Sequence, residues 1–128
     1  MTLRTLAALL ALLAGIGAGT GAALAQEPPR TREGTGAVLR TLDRVSGEVI
    51  DVEMASGQTM AYGPLQVTLH ECRYPAANPA GEAFALIQVV DARAVREIFA
   101  GWMVASSPAL NPLEHRRYDV WLMNCRTG

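Results

Sequence analysis

From Ala37 onward, apolar and polar residues alternate along short stretches of the chain. A period of two is typical of a β-strand that has one buried and one solvent-facing side. The clearest alternating positions are Ile50, Val52 and Met54 in one stretch and Leu65, Val67 and Leu69 in the next. Because turn-forming residues separate the stretches, the pattern predicts an all-β fold for residues 37–128. We expect a small single-domain sandwich or barrel of about six or seven short antiparallel strands.

Two apolar stretches depart from this simple alternation. Residues 84–90 are apolar on both faces, which predicts a central strand covered on both sides. Residues 118–125 also carry apolar side chains on both faces, and Trp121 is one of them. Because Trp102 lies in a comparable apolar context, we expect both tryptophan side chains to be in the core.

Residues 91–102 fit two different structures. Asp91 can cap a helix, and apolar residues then recur at helical spacing. That stripe consists of Val95, Ile98, Phe99 and Trp102. The alternative is a hairpin turn at residues 92–94 followed by a strand through Val104. The surrounding strand pattern favours this alternative.

The first 25 residues have the three parts of a secretory signal peptide. Arg4 is followed by an apolar run over residues 6–14, and small residues then lead to Ala23-Leu24-Ala25. This A-x-A pattern marks a cleavage site before Gln26. A transmembrane anchor is the alternative, but it needs about 20 apolar residues, and glycines interrupt the run here. We therefore expect cleavage, export and a periplasmic location, with no membrane-spanning segment in the mature protein.

Residues 26–36 differ in composition from the chain on either side. They contain two prolines, two glycines and four charges, without apolar periodicity. This composition is typical of a flexible, disordered segment. The sequence therefore predicts a signal peptide over residues 1–25, a flexible leader over residues 26–36 and a single β domain over residues 37–128.

Length and charge exclude several functional classes. The chain has 128 residues, and the part after the signal peptide can bury one modest core, which excludes multidomain enzymes, dinucleotide-binding folds and repeat arrays. Lys and Arg together number 11 and Asp and Glu 12, so the formal net charge is -1, and every basic residue is arginine. This balance gives no electrostatic reason to expect nucleic acid or an anionic membrane as a partner.

Cys72 and Cys125 are the only cysteines in the sequence. In an exported protein an even number of cysteines favours a disulfide, because the compartment is oxidising. A metal site that uses both cysteines together with His70 and His115 is the competing interpretation. Since the spacing matches no known zinc motif, we expect a disulfide, no metal and no cofactor.

The residues that an enzyme would need are present but lack a catalytic motif. Ser106, Ser107 and the two histidines supply the parts of a catalytic triad. However, no nucleophile elbow of the Gly-x-Ser-x-Gly kind surrounds either serine, and the cysteines lie too far apart for a Cys-x-x-Cys redox pair. Asp51 and Glu53 share one strand face, which is more typical of solubility and edge protection than of acid–base catalysis.

Residues 105–117 form a connection longer than is usual between strands, and long ordered loops often carry function. Leu110 and Leu113 can also pin this loop over one end of the core. The basic cluster that follows them suits a carboxylate or a phosphate, although such charges are also typical of a solvated loop. The candidate binding face consists of Ser106, Ser107, Leu110, Asn111, His115, Arg116 and Arg117.

Two blocks of the sequence resemble a known bacterial family. The first contains Gly101-Trp102-Met103, Ser107-Pro108-Ala109-Leu110-Asn111 and Tyr118-Asp119-Val120-Trp121, and the second contains Gly63-Pro64-Leu65 and Cys72-Arg73-Tyr74-Pro75. Both are similar to domain of unknown function 2155 (DUF2155), a family of exported bacterial proteins, over about residues 37–125. The resemblance implies an envelope protein with two matching cysteines and a β-hairpin after Val90. It assigns no catalytic residue.

We therefore expect an exported envelope protein that acts as a non-catalytic binding or accessory module for a protein or a cell-wall component. The expected contact face is the loop over residues 105–117. An inhibitor of a secreted enzyme would have the same sequence features. The alternative from another class is a small periplasmic hydrolase or redox enzyme that uses His70, His115 or Ser106.

Overall fold

The computed structural model describes residues 30–128 together with Gly19 and Gly21. The signal peptide predicted for residues 1–25 and the cleavage site before Gln26 lie outside the described residues, apart from those two glycines. Residues 30–128 fold into eight antiparallel strands and contain no helix. Within the described part of the chain, therefore, no helix is long and apolar enough to cross a membrane.

The strand bounds confirm the all-β prediction, with a strand count slightly above the expected range. The strands are β1 (Thr31–Glu33), β2 (Gly36–Asp43), β3 (Val49–Ala55), β4 (Thr59–Tyr62), β5 (Leu65–Pro75), β6 (Phe84–Asp91), β7 (Arg96–Val104) and β8 (Tyr118–Arg126). The helix considered for residues 91–102 is wrong. Asp91 ends β6, and its carboxylate accepts hydrogen bonds from the backbone N–H groups of Arg93 and Ala94, which fixes the turn into β7.

The strands form two sheets. The first has the order β1-β5-β6-β7, and β4 pairs with β5 on the same side as β1 but further towards the start of β5. The second has the order β3-β2-β8. The two sheets pack face to face, so the fold is a sandwich rather than a closed barrel. Among the described strands, β7 and β8 are therefore edge strands, each paired on one side only.

The core lies between the inner faces of the two sheets. Its largest fully buried side chains are Leu39, Met54, Leu65, Leu69, Ile87, Leu122, Val67, Val89, Val120, Thr41 and Cys72. Strand β6 is central in its sheet, as expected for residues 84–90, but only one of its faces is fully covered. Ala85, Ile87 and Val89 are buried, whereas the alternate positions are half-buried because nothing among the described residues packs over the outer face.

A disulfide between Cys72 on β5 and Cys125 on β8 joins the two sheets, in agreement with the predicted pairing. The two residues are separated by 53 positions in the sequence, and their Cα atoms lie 5.7 Å apart. Neither cysteine is free. The bond therefore connects two layers that otherwise meet mainly through apolar side chains.

The predicted flexible leader is wrong for residues 31–36. Strand β1 pairs with β5, and the Gly34 and Thr35 amides donate to the carbonyls of Cys72 and Arg126 at 2.7 and 2.9 Å. A Cβ at Gly34 would lie 2.6 Å from the Arg126 carbonyl oxygen, so glycine is needed here for close packing beside the disulfide rather than for flexibility. Strand β1 has only three residues, which is too few for an alternating pattern of apolar and polar residues to predict it.

Candidate functional site

The connection between β7 and β8, residues 105–117, crosses from the edge of one sheet to the edge of the other. We call it the β7–β8 loop. Leu113 is 2% exposed and closes the core between the two edge strands, whereas Leu110 is 74% exposed. The expectation that the leucines pin the loop is therefore right for Leu113 and wrong for Leu110, whose side chain points away from the core.

The first residues of the loop are fixed by Glu82. Its carboxylate accepts a hydrogen bond from the Ser106 hydroxyl and another, at 3.0 Å, from the Ser106 amide. The Ser106 hydroxyl bond is the main reason why the pKa of Glu82 lies below its usual range, and the two backbone amide bonds act in the same direction against the effect of burial. Ser107 lies next to Ser106, with the hydroxyl oxygens 3.5 Å apart. The Ser106 hydroxyl is therefore engaged in holding the loop.

Asn111 fixes the middle of the loop to the free edge of β7. Its side-chain amide donates to the carbonyl oxygen of Trp102 at 3.1 Å. A Cβ at Gly101 would lie 2.9 Å from the Asn111 amide nitrogen, so glycine at this position allows the close approach. The contact thus joins the Gly-Trp-Met segment to the loop, and it also covers part of an unpaired strand edge.

An apolar cleft of about 360 Å³ lies between the β7–β8 loop and the edge strands. We call it the apolar cleft. It is lined by Met103, Val104, Pro108, Ala109, Asn111, Pro112, Asp119, Val120, Trp121 and Leu122. Its base consists of side chains that also belong to the core, and its rim is the loop. A cleft of this size accommodates a single side chain or another small apolar group.

The prediction that both tryptophans are core residues is wrong. Trp102 is 39% exposed and lies opposite the half-buried Leu86 on the outer face of its sheet. Trp121 is half-buried and forms part of the apolar cleft. The reason is alternation, because the neighbouring residues Met103 and Val120 occupy the inward positions of the two edge strands.

Asp119 is the charged group of the apolar cleft, and both of its carboxylate oxygens are engaged. One accepts from the Val120 amide at 2.9 Å and the other from the Arg44 guanidinium at 2.9 Å. Arg44 also donates to the carbonyl oxygen of His115 at 2.9 Å. The Val120 amide lies on the side of β8 that faces away from β2, so Asp119 satisfies a main-chain group that would otherwise be open to another strand.

The last residues of the loop are more tightly bound than a solvated loop would be. The His115 Nδ1 atom accepts hydrogen bonds from the Arg117 and Tyr118 amides, each at 3.1 Å. In the neutral ring the proton must therefore be on Nε2. Arg117 donates to both carboxylate oxygens of Asp43 at 3.1 and 3.0 Å and lies over the Tyr118 ring. The hydrogen bonds from Arg117 are the main reason why the pKa of Asp43 is lowered from 3.8 to about 2, and the backbone amides of Val45 and Ser46 act in the same direction against the effect of burial.

A second depression, of about 370 Å³, is bordered by the last residues of the loop. We call it the arginine cleft. It is lined by Asp91, Arg96, Ile98, Glu114, His115, Arg116 and Arg117. Arg117 is committed to Asp43, but within residues 30–128 neither Arg96 nor Arg116 forms an ion pair. Two guanidinium groups are therefore available for an external acceptor.

The structure does not assemble the residues considered for catalysis. His70 lies on the exposed side of β5 at a bulge in its pairing with β6, with Nε2 3.3 Å from the Gln88 side-chain oxygen. His115 uses Nδ1 for the backbone of its own loop, and the Ser106 hydroxyl is bonded to Glu82. No cluster of potential metal ligands occurs among the described residues.

The candidate binding face predicted from the sequence divides into separate environments. Ser106 and Ser107 hold the start of the loop, Asn111 borders the apolar cleft, and Arg116 borders the arginine cleft. Sequence reasoning missed the contributions of other elements, which are Met103, Trp121 and Arg96. The alternation of Trp121 with inward-facing residues indicates that its side chain lies outside the core. Arg96, in contrast, can be identified only when it is known which turn lies beside the loop.

Comparisons with known proteins agree with the resemblance seen in the sequence. A family model described as an uncharacterized protein conserved in bacteria (DUF2155) matches residues 37–125. The uncharacterized protein RP359 of Rickettsia prowazekii (strain Madrid E) is 23% identical over 95 residues, which cover 71% of this chain and 61% of the relative. The match thus spans less than two thirds of that relative. No solved structure matches this chain.

Proposed function

We propose that this chain, which belongs to the DUF2155 family of bacterial proteins, is exported to the cell envelope and acts there as a non-catalytic binding module. The apolar cleft would receive an apolar side chain presented by a protein partner. The observation that carries this proposal is the cleft itself, a concave apolar surface of about 360 Å³ at the base of the long loop. Concave apolar sites with a few fixed polar groups are the usual form of a binding site.

The cleft is held open by contacts that do not depend on a ligand. The buried Leu113 side chain anchors the loop to the core, and Asn111 ties it to β7. Pro108 and Pro112 restrict the backbone of the rim. Because these groups are already ordered, the loop itself loses little conformational entropy when a partner binds, which favours affinity.

The area of one buried side chain sets the free energy that the apolar cleft contributes to binding. An aromatic side chain that buries about 150 Å² gains about 4 kcal/mol, at roughly 25 cal/mol per Å² of apolar surface. Since association costs several kcal/mol of translational and rotational freedom, one anchor alone gives weak binding. A partner must therefore contact more of the loop than the cleft.

Two arguments support export. Residues 1–25 have the composition of a cleavable signal peptide, and the cysteines are placed as a disulfide that requires an oxidising compartment to form. The hydrolase and redox alternatives are less well supported. They need a histidine beside Ser106 or an exposed reactive cysteine, whereas Ser106 is bonded to Glu82 and both cysteines are joined.

The test is affinity capture from envelope extracts with protein that has a filled cleft. Ala109→Phe places a large side chain at the cleft rim, where the native residue is exposed and makes no core contact. The matched control, Ala77→Phe, introduces the same side chain at an exposed position between β5 and β6. We expect the first variant to lose the partner and the second to retain it, with equal melting temperatures.

Two results would contradict the proposal. Capture of the same partner by the Ala109→Phe variant would place the binding site elsewhere. Retention of the protein on isolated peptidoglycan, with no protein partner, would favour a cell-wall ligand instead, for which the exposed part of Trp121 could provide a stacking surface.

A further inference from the structure

We infer that the partner segment carries an acidic side chain close to its apolar one, and that Arg96 and Arg116 bind this acidic group. The inference rests on the proposed function, because it names the chemistry of the segment that the apolar cleft receives. Its occupant is therefore an extended peptide segment with one apolar anchor and one carboxylate. Two features of the surface support this assignment: the two clefts adjoin, and Arg96 and Arg116 have no ion-pair partner among residues 30–128.

The apolar cleft and the arginine cleft belong to one continuous surface along the β7–β8 loop. Pro112 borders the apolar cleft and also a shallow depression that contains Arg44. That depression shares Glu114, His115 and Arg116 with the arginine cleft. A peptide that leaves the apolar cleft past Pro112 therefore reaches the arginine cleft without crossing a buried part of the protein.

The length of this path limits the spacing in the partner. Pro112 and Arg116 are four positions apart, and an extended chain spans about 3.5 Å per residue, so their Cα atoms are separated by at most about 14 Å. The apolar and acidic side chains of the partner should therefore lie within roughly four residues of each other.

The arginines along this path differ in whether a carboxylate of the protein already forms an ion pair with them. Arg44 is paired with Asp119, and Arg117 is paired with Asp43. Arg96 and Arg116 form no ion pair with any residue between 30 and 128. His115 adds a donor at Nε2, because its Nδ1 atom accepts hydrogen bonds from two backbone amides.

Two acidic residues in the arginine cleft affect whether the cleft favours a singly or a doubly charged anion. Asp91 and Glu114 balance the charges of Arg96 and Arg116, so the cleft does not attract anions at long range. Binding must instead come from contact, where the planar guanidinium fork matches a carboxylate. Because these charges are already balanced, a single carboxylate leaves less uncompensated negative charge in the cleft than a doubly charged group would, which favours an acidic side chain.

The test is peptide display on the folded mature protein, with a library of random dodecapeptides as the probe. We expect the selected sequences to combine an apolar residue with Asp or Glu within about four positions, the spacing that the path allows. The best peptide is then synthesised in two forms, one native and one with the acidic residue replaced by Gln. Affinity is measured for the native protein and for the double variant Arg96→Gln, Arg116→Gln.

The double variant should weaken binding of the acidic peptide by roughly tenfold and leave binding of the Gln peptide unchanged. The control variant Arg32→Gln removes an exposed arginine from β1, at the far end of the sandwich, and should change neither affinity. Because neither Arg96 nor Arg116 supports another described residue, the double variant should melt at the temperature of the native protein.

The results of the peptide experiments distinguish failure of the acidic-partner inference from failure of the proposed function. Selection of apolar peptides without acidic residues, or equal losses for the acidic and Gln peptides, overturns the acidic partner but leaves the apolar cleft as the binding site. Selected peptides that bind Ala109→Phe as tightly as the native protein overturn the proposed function and this inference together. Recovery of no peptide above background also overturns both.

Discussion

Replacement of both cysteines by alanine should lower the free energy of unfolding by roughly 2–4 kcal/mol. The disulfide closes a loop with a sequence separation of 53, and chain entropy then gives a stabilisation of roughly 4 kcal/mol as the upper value. For a domain of this size, whose total stability is on the order of 5–15 kcal/mol, such a loss is a large fraction.

The position of the bond explains why its loss should affect the whole domain. Cys72 is on β5 and Cys125 is on β8, so the bond is a covalent link between the two sheets. Alanine is preferable to serine in this experiment because Cys72 is fully buried, and a buried hydroxyl without a partner would add a cost of its own.

Urea unfolding followed by tryptophan fluorescence measures the change. Trp102 and Trp121 lie on the two edge strands and report on both sheets. The native protein after reduction serves as the control for the sulfur atoms that alanine removes, and its midpoint should fall close to that of the double variant. Equal midpoints for oxidised and reduced protein, or alkylation of both thiols in the folded exported protein, would refute the reasoning.

Three further predictions concern contacts of the loop and the turns. Asn111→Ala removes the 3.1 Å hydrogen bond to Trp102 and should lower the free energy of unfolding by about 1 kcal/mol in urea unfolding, with faster amide exchange in the loop. Arg117→Gln should raise the pKa of Asp43 from about 2 towards 3.8, as carbon-detected NMR titration measures. Because this pKa is lowered on folding, the native pair stabilises the fold above pH 4 and loses its effect as the pH falls from about 4 to about 2, and the variant, which keeps only the Val45 and Ser46 amide bonds to Asp43, should show a smaller pH dependence. Val95 has a φ of 52° and is 84% exposed, so Val95→Gly should raise the melting temperature or leave it unchanged, and a clear decrease would show that the side chain has an unseen contact.

The strands that could be predicted are those with enough residues to show a period of two. In β5 the alternating inward positions Leu65 and Val67 are buried as expected, whereas in β3 the expected buried face is wrong at Ile50, which is 45% exposed, and only Met54 is buried. The disulfide was predictable because only two cysteines exist. In contrast, β1 has three residues, and its pairing with the end of β5 depends on a contact far away in the sequence.

The candidate site was only partly predictable, because it too depends on contacts between residues far apart in the sequence. The long loop was visible as a break in the strand pattern, but the apolar cleft needs side chains from both edge strands, Met103 and Trp121, in addition to the loop. Likewise, the pairing of Arg117 with Asp43 joins residues 74 positions apart. No local pattern distinguishes Arg117, which is paired, from the adjacent Arg116, which is not.

The most direct test of the apolar cleft as a binding site is photo-cross-linking in living bacteria from position 110. Leu110 is 74% exposed and lies between Ala109 and Asn111, which line the cleft, so a photoreactive phenylalanine analogue in its place leaves the cleft open. The same analogue in place of the exposed Ala77 is the control. The proposed function predicts one predominant cross-linked protein from position 110 and none from position 77. Equal products from both positions, or no product from position 110, would contradict it.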